Sequence, residues 1–386
     1  MDLGKLRKTY RDLLLDGIAP FWLRHGIDRE HGGVLSVMDE VGNVLSGDKY
    51  IWSQARSVWT FAALYNRVER RPEFLDAAAN SVRFLMAHGR DAEGRWVYHT
   101  DRQGSVIEGP TSIYSDLFAV YGFSEYYRAA RDPAVLDCAL KTYERVRERI
   151  RQPDFHETAP YSLSAGRKLH GIPMIMTEVT NELLQTTGNA ELERVLDASI
   201  EEILDRFLDP RRGLVLEYRD HDYSELPPPE GTAVMPGHAI ESMWFVLHVA
   251  RRRGDRKLVG RAAQVIRRHL EVGWDSEYGG LLLGIDADGG EPFIRNAEKK
   301  LWWPHTEALY ALLLAHQLTG EEWCMEWYER VHEWSFARFP MPGVGEWRQR
   351  LTRDGTPTSE LIALPVKDPF HLPRAAILIT KLLENA

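Results

Sequence analysis

The chain has 386 residues, of which 44% are hydrophobic, so it is long enough to bury a large core. Its net charge is −9 and it has no basic face or Lys/Arg-rich arm, which argues against a nucleic-acid partner. Its two cysteines, Cys138 and Cys324, indicate no disulfide framework, and no apolar stretch approaches the roughly 18 residues of a membrane span. We therefore expect a cytoplasmic protein that binds a neutral small molecule and not a membrane.

A glycine-centred motif recurs along the chain. Its copies surround Gly33, Gly94, Gly213, Gly280 and Gly345. Each copy is typical of a glycine turn, a short strand, a second turn and another short extended piece. Neighbouring copies lie 61, 67 and 65 residues apart, and the interval from 94 to 213 is about two periods. A sixth, degenerate copy is therefore predicted around residues 161–171.

Helices are predicted on both sides of these motifs. Apolar residues at i, i+3 and i+4 predict outer helices with one solvent-facing side over 75–88, 133–150, 190–207, 257–272 and 321–339. Inner helices that are apolar on several faces are predicted over 53–67, 111–128, 173–187, 236–252, 304–318 and 369–383. Six helix pairs with short hairpins at one end describe an all-α protein, an (α/α)6 barrel. We expect it to form a single catalytic domain over residues 1–386.

Polar residues recur where the predicted inner helices begin. If all six helices begin at one end of the barrel, these side chains converge on one pocket. His238 and Glu241 share a helix face at i, i+3, and His371 and Arg374 repeat that spacing. Histidine titrates near neutral pH, so two histidines that face one cleft suit general acid–base catalysis.

Other kinds of site have weaker support. Three histidines could bind zinc in principle, but no motif with ligand spacing occurs, so we expect no metal; they are His238, His305 and His371. The chain has no phosphate loop, dinucleotide fingerprint or nucleophile elbow. A glycoside hydrolase that uses paired carboxylates stays open as an alternative, although the paired histidines argue against it; its candidate acids are Glu178, Glu241 and Glu307.

Five motifs in the same order resemble the N-acylglucosamine 2-epimerase family. That family also holds cellobiose 2-epimerases, mannose isomerases and sulfoquinovose isomerases. The resemblance covers nearly the whole chain, and its motifs are KYIWSQARSVW at 49–59, PGHAIESMW at 236–244, GWDSEYGG at 273–280, KLWWPHTEA at 300–308 and FHLPR at 370–374.

The resemblance implies an (α/α)6 barrel in which His238 and His371 are the catalytic acid–base pair. We expect the following residues to bind substrate: Arg56, Tyr114, Glu178, Glu241, Trp303, His305, Glu307 and Arg374. The family's reaction opens the sugar ring and removes the proton at C2, which gives an enediolate. Reprotonation at C2 from the opposite face gives the epimer, whereas protonation at C1 gives the ketose.

One position separates branches of the family. Cellobiose epimerases and the mannose and sulfoquinovose isomerases carry a histidine three residues before a glutamate on the third inner helix. Here the glutamate is Glu178, but the earlier residue is Ile175. The apolar residue and the Trp-Trp-Pro-His form resemble the N-acylglucosamine branch, whereas the glutamate does not. Interconversion of N-acylglucosamine and N-acylmannosamine is therefore the preferred activity.

Several alternatives stay open. An aldose–ketose isomerase of the mannose–fructose type, or an epimerase of an unmodified sugar, would use the same histidines. Animal members of the family were noted as renin binders, so a non-catalytic protein that binds a sugar or a partner is a further alternative. N-acylglucosamine epimerases often need ATP as an effector, but without a phosphate loop we expect no cofactor. We expect a small sugar as the partner, and a homodimer is the assembly considered.

Overall fold

The computed structural model describes residues 2–157, 166–360 and 366–385. An outer layer of helices alternates along the chain with an inner layer. The outer layer comprises α1 (Leu3–Asp12), α2 (Ala19–His25), α4 (Pro72–His88), α6 (Pro133–Arg149), α8 (Leu192–Glu201), α10 (Arg256–Gly273) and α12 (Glu322–Phe336). The inner layer comprises α3 (Ile51–Ala63), α5 (Ile113–Ala130), α7 (Gly171–Thr187), α9 (Pro236–Arg253), α11 (Trp302–Thr319) and α13 (His371–Leu382).

The inner helices close into a ring. Each one contacts the next, and α13 contacts α3. From α4 onward, each outer helix packs on the inner helix before it, and α1 packs on α13, so the two layers close together. Six inner helices in a closed ring with an outer helical layer around them confirm the predicted (α/α)6 barrel.

The two layers differ in burial, as their sequences predict. In α10 the buried residues recur at helical spacing, and arginines and lysines occupy the face between them. In α11 a continuous run from Pro304 to Ala315 is buried, because this helix has neighbours on all sides. The inner helices begin within two residues of the predicted positions. The first outer segment, which we did not predict, joins α1 to α2 through a π-helical turn at Leu13–Ile18.

Short strands bind the ends of the inner helices to one another. They are β1 (Lys49–Tyr50), β2 (His99–Thr100), β3 (Val106–Glu108), β4 (Lys168–Leu169), β5 (Leu208–Asp209), β6 (Leu214–Val215), β7 (Tyr218–Arg219), β8 (Ala233–Val234), β9 (Ile285–Asp286), β10 (Lys300–Leu301) and β11 (Arg350–Leu351). The strand before an inner helix pairs antiparallel with a strand of the next unit, as β1 does with β2, β4 with β7, β8 with β9 and β10 with β11. This belt holds the beginnings of the inner helices at one end of the barrel.

The five predicted hairpins are present. Each has an antiparallel bridge across its glycine turn, and the five glycines have φ values from 68° to 87°, which side chains with a Cβ rarely adopt; they are Gly33, Gly94, Gly213, Gly280 and Gly345. The first part of the predicted sixth copy, residues 161–165, lies outside the described residues. In its second part, β4 pairs with β7 in the way that the other units pair.

Two findings bear on the expected class of protein. No helix in the described ranges is long and apolar enough to cross a lipid bilayer. Cys138 and Cys324 are both buried and unpaired, so neither takes part in a disulfide.

Candidate active site

A cavity opens where the inner helices begin. Among the residues that line it are six that the sequence singled out: Arg56, Tyr114, His238, Glu241, Trp303 and His371. They come from five of the six inner helices, so the belt brings together side chains that are far apart in the sequence. The predicted convergence of the helix starts on one pocket is therefore observed.

His238 lies in the first turn of α9 with 17% of its side chain exposed. Its Nδ1 lies 3.1 Å from Oε2 of Glu217, which leaves Nε2 available to the cavity. Burial lowers the pKa of His238, but the charge and hydrogen bond of Glu217, together with the charge of Glu241, outweigh burial, and the pKa is raised above its usual value. These carboxylates therefore stabilise the protonated form of this histidine.

His371 is the first residue of α13 and is 10% exposed. Its Nδ1 lies 2.8 Å from Oε1 of Glu307, so Nδ1–H donates to the carboxylate and Nε2 is left for the cavity. Burial holds the pKa of His371 well below its usual value; Glu241 offsets this in part, and Arg56 and Arg374 add to it. This histidine therefore favours its neutral form.

Trp303 links the two histidines. Its indole centroid lies 5.2 Å from the ring of His238 and 5.6 Å from the ring of His371. The two imidazole rings are therefore closer together than the limit of about 12 Å within which both can reach one substrate. Trp303 also offers an aromatic face to the cavity, where the C–H face of a sugar ring can pack.

Arg374 forms a buried ion cluster beneath the cavity. Its Nη2 donates to Oε1 of Glu241 and, at 2.8 Å, to Oε1 of Glu307. The other oxygen of Glu307 accepts from the indole N–H of Trp244 at 2.8 Å. Glu307 and Arg374 do not line the cavity themselves, so their positions fit orientation of His371 better than the predicted contact with substrate.

The same cluster bears on metal binding. One ligand atom each from Glu241, Glu307 and His371 lies within 4.8 Å of the others, a grouping that could hold a metal ion. In this structure the guanidinium of Arg374 binds an oxygen of each glutamate and supplies the positive charge between them. Their contacts therefore fit an ion-pair cluster.

Arg56 brings a positive charge to the cavity wall. Its guanidinium donates to Asp368 and lies over the rings of Trp52 at 4.6 Å and Phe118 at 4.0 Å. Its side chain is 15% exposed, so part of the guanidinium is open to a ligand. Because the carboxylate and the aromatic rings fix the side chain, the charge is preorganised for an oxyanion.

Two further predicted substrate-binding residues do not line the cavity. His305 is fully buried, donates or accepts at both ring nitrogens and stacks on Trp334 at 4.8 Å. Burial lowers its pKa to about 3, so the ring is neutral. Glu178 lies 3.3 Å from Nδ1 of His248 and 3.4 Å from the hydroxyl of Tyr121. Neither position supports the predicted contact with substrate.

His305 instead holds a hairpin. Its Nδ1 donates to the carbonyl of Leu301, and its Nε2 accepts from N–H of Leu281 at 2.9 Å, next to the glycine turn. Gln54 does the same in the first unit, where its amide both accepts from and donates to the backbone of Val34. Both residues stand four positions after the strand that precedes their helix.

His238 occupies that same position after β8 but makes no bond to its own hairpin. The equivalent hairpin N–H, on Val215, donates instead to Nε2 of His269, which belongs to outer helix α10, at 3.1 Å. His269 is fully buried, and its Nδ1 donates to the carbonyl of Val265. Because the outer helix holds this hairpin, the imidazole of His238 is free to face the cavity.

The carboxylate that binds His238, on Glu217, was not predicted from the sequence. Glu217 stands four residues after its hairpin glycine, and Gln349, which lines the cavity, stands four residues after Gly345. The same position holds Val37, Tyr98 or Gly284 in other copies, so a polar residue there was a signal in the repeat alignment. Further lining residues also went unpredicted, among them Phe118, Met174, Trp302, Arg350 and Asp368.

Comparison with known proteins agrees with this geometry. A profile of the N-acylglucosamine 2-epimerase family matches residues 22–374. The N-acylglucosamine 2-epimerase of Bos taurus is 32% identical over 96% of this chain and 90% of its own length. The cellobiose 2-epimerase of Dictyoglomus turgidum is 25% identical over 99% of this chain and 100% of its own. Among solved structures, cellobiose 2-epimerase from Bacillus thermoamylovorans superposes with a TM-score of 0.85 at 20% identity, covering 98% and 99% of the two chains.

The profile match spans nearly the whole chain, and it includes both histidines of the cavity and the cluster around Arg374. The chain belongs to the N-acylglucosamine 2-epimerase family, and it is an isomerase of the sugar 2-epimerase type.

Proposed function

We propose that this enzyme interconverts N-acylglucosamine and N-acylmannosamine. The observation that carries the proposal is that the apolar side chains of Met174 and Ile175 line the same cavity as the two histidines. An apolar wall suits an acyl group, whereas a histidine at position 175 would suit a hydroxyl. The similarity to the bovine N-acylglucosamine 2-epimerase supports the same substrate.

The proposed mechanism inverts C2, because a proton leaves from one face and a proton is added to the opposite face. In the open-chain sugar, Nε2 of one histidine takes the C2 proton, and the electron pair moves onto the aldehyde oxygen O1, which gives an enolate because C2 carries the N-acyl nitrogen. The other histidine then donates a proton to C2 from the opposite face. Arg56 stabilises the developing oxyanion, and Trp303 packs on the carbon chain. Return of the proton to the original face regenerates substrate.

The carboxylates of the site suit a hydrolase poorly. A glycosidase needs one carboxylic acid and one carboxylate that both reach the glycosidic bond. Glu241 and Glu307 share the guanidinium of Arg374, and Glu178 lies outside the cavity lining. Glu241 and Asp368 also line the cavity, but an arginine binds each of them, whereas each histidine keeps Nε2 for the cavity, which supports epimerisation over hydrolysis.

The experiment is proton NMR in heavy water with N-acetylglucosamine, N-acetylmannosamine, mannose, glucose, fructose and cellobiose. We expect deuterium at C2 of both N-acetyl sugars and formation of the other epimer, without added metal or ATP. Exchange confined to mannose and fructose would replace the proposal with aldose–ketose isomerisation. No exchange with any sugar, from folded protein, would support a binding protein.

We also propose that the enzyme is a cytoplasmic homodimer. The two unpaired, buried cysteines suit a reducing compartment. Sedimentation equilibrium tests the assembly, and a single species at the monomer mass across micromolar concentrations would contradict it.

A further inference from the structure

We propose that Glu217 is a positioning residue that keeps His238 protonated in the empty enzyme, so that His238 is the resting acid and His371 the resting base. This inference rests on the proposed function, because it divides the roles of acid and base between the two histidines. The two histidines have similar local settings, but the carboxylates that bind them differ in their other partners.

The two histidines have matching local settings. Each lies in the first turn of its helix, where the positive end of the helix dipole disfavours an imidazolium. Each places Nδ1 within hydrogen-bond distance of a carboxylate, which belongs to Glu217 for His238 and to Glu307 for His371. Local backbone and hydrogen bonding alone therefore do not distinguish them.

The carboxylates differ in what else they bind. Glu307 also accepts from Arg374 at 2.8 Å and from Trp244, so a guanidinium already balances its charge. The carboxylate of Glu217 has no arginine or lysine partner in the described part of the chain. Its second oxygen faces the imidazole of His170, whose Nδ1 lies 3.5 Å away. Its charge is therefore available to stabilise an imidazolium at His238.

The other charged groups around the two imidazole rings also favour His238 as the acid and His371 as the base. His238 faces Glu241 on its own helix, Arg56 from α3 and His371 from α13. His371 faces Glu241, and also Arg56 and Arg374, whose two positive charges disfavour its protonation. The pKa of His238 is raised and that of His371 is lowered, and groups whose pKa values are pushed apart are typical of an acid and a base.

The backbone fixes Glu217 between two units of the barrel. Its N–H donates to the carbonyl of Ala233 at 2.9 Å, and its carbonyl accepts from N–H of His170 at 2.9 Å. Two residues earlier, Val215 is held by His269. The side chain is 2% exposed, so water does not compete for its charge. A carboxylate held at both backbone groups and buried beside an imidazole is preorganised for this role.

The proposed step balances in protons. In the empty enzyme Nε2 of His371 carries no proton and Nε2 of His238 carries one. When His371 removes the C2 proton and His238 donates to the opposite face, the two histidines exchange protonation states while the site keeps the same total. Return of a proton from His371 to His238 through solvent resets the enzyme for the same epimer.

The test is replacement of Glu217→Gln, which keeps the shape and removes the charge. The side-chain pKa of His238 is followed by ¹⁵N NMR, with His238→Asn to assign the resonance. We expect this pKa, and with it the alkaline limb of the pH profile of kcat/KM, to fall by about 1 to 3 units. Glu217→Asp keeps the charge, so its alkaline limb should stay near that of the wild type even where turnover falls.

A matched control is Glu125→Gln near the end of α5. Glu125 is also a buried glutamate, but it pairs with Arg67 away from the helix starts, so its replacement should lower stability without moving the pH profile. The proposal is overturned if His238 titrates alike in wild type and folded Glu217→Gln, or if Glu217→Asp shifts the limb as far as Glu217→Gln does. If Glu217→Gln does not fold, a wild-type His238 that titrates below its usual value of 6.5 overturns it equally. Because the NMR titration needs no turnover, a shift of His238 without exchange into any sugar would refute the proposed function and leave the positioning role intact.

Discussion

Replacement of Arg374 by methionine should be among the most destabilising single changes in this site. Arg374 is 1% exposed, and its guanidinium is shared by Glu241 and Glu307. Methionine fills part of the volume but leaves both carboxylates buried without a countercharge. Removal of one partner from a buried ion pair costs about 3 to 5 kcal/mol of unfolding free energy, and two carboxylates share the loss here.

The cost of Arg374→Met in unfolding free energy should depend on pH. Burial already raises the pKa of Glu307 despite Arg374, and the loss of the guanidinium raises it further. A carboxyl group whose pKa is higher in the folded state than in the unfolded state favours folding at low pH, and this contribution is lost as the pH rises. The cost of Arg374→Met should therefore be largest near neutral pH and should shrink as the pH falls toward the ordinary carboxyl range.

Urea unfolding followed by tryptophan fluorescence at pH 7.5 and pH 5.5 measures the stability cost of Arg374→Met and its change with pH. Arg353→Met is the matched control, because Arg353 also pairs with a buried aspartate, Asp275, but is 46% exposed, so its loss should cost about 1 kcal/mol or less. A cost for Arg374→Met no larger than that of the control, or one that grows as the pH falls, would refute the ion-cluster argument.

Three further predictions concern the chemistry. His238→Asn and His371→Asn should each lower turnover by roughly 10² to 10⁴, because each removes a positioned acid or base; near-normal turnover in both, measured by NMR, would place the proton chemistry elsewhere. His305→Gln should keep most of its turnover in the same assay, because Gln54 holds its own hairpin from the equivalent position; a loss as large as that of the catalytic pair would contradict this. Activity should survive exhaustive chelation, since Arg374 already binds the oxygens that a metal would need; loss restored by zinc or manganese would be decisive against it.

Sequence periodicity predicted the barrel well because repetition constrains both layers at once. The hairpin glycines mark turns that need a positive φ, and their spacing fixed the number of units before any helix boundary was assigned. The helix starts followed from proline and from the change in apolar pattern, as at Pro236 of α9. The first outer helix was missed because no hairpin motif precedes it.

The site was predicted less completely, because residue type alone does not say which way a side chain points. His305 and His238 share a repeat position and a residue type, yet one holds backbone and the other faces the cavity. The difference comes from His269 on another helix, which no local pattern reveals. Glu217 was missed for a related reason, since its role depends on pairing between two units.

In one unit the hydrogen bond that holds the hairpin is made by His269 of an outer helix and not by the inner helix. The inner-helix position of that unit, occupied by His238, is therefore separated from the task of stabilising the turn. Where the inner helix holds the turn, as at Gln54, mutation is constrained by folding. Where His269 holds it, the inner position is released, and new chemistry can be selected there without loss of the turn. The positions of Gln54 and His305 are thus latent sites. An acceptor supplied by the outer helix would release the inner residue, which gives both natural drift and protein design a route to further functional groups around one cavity.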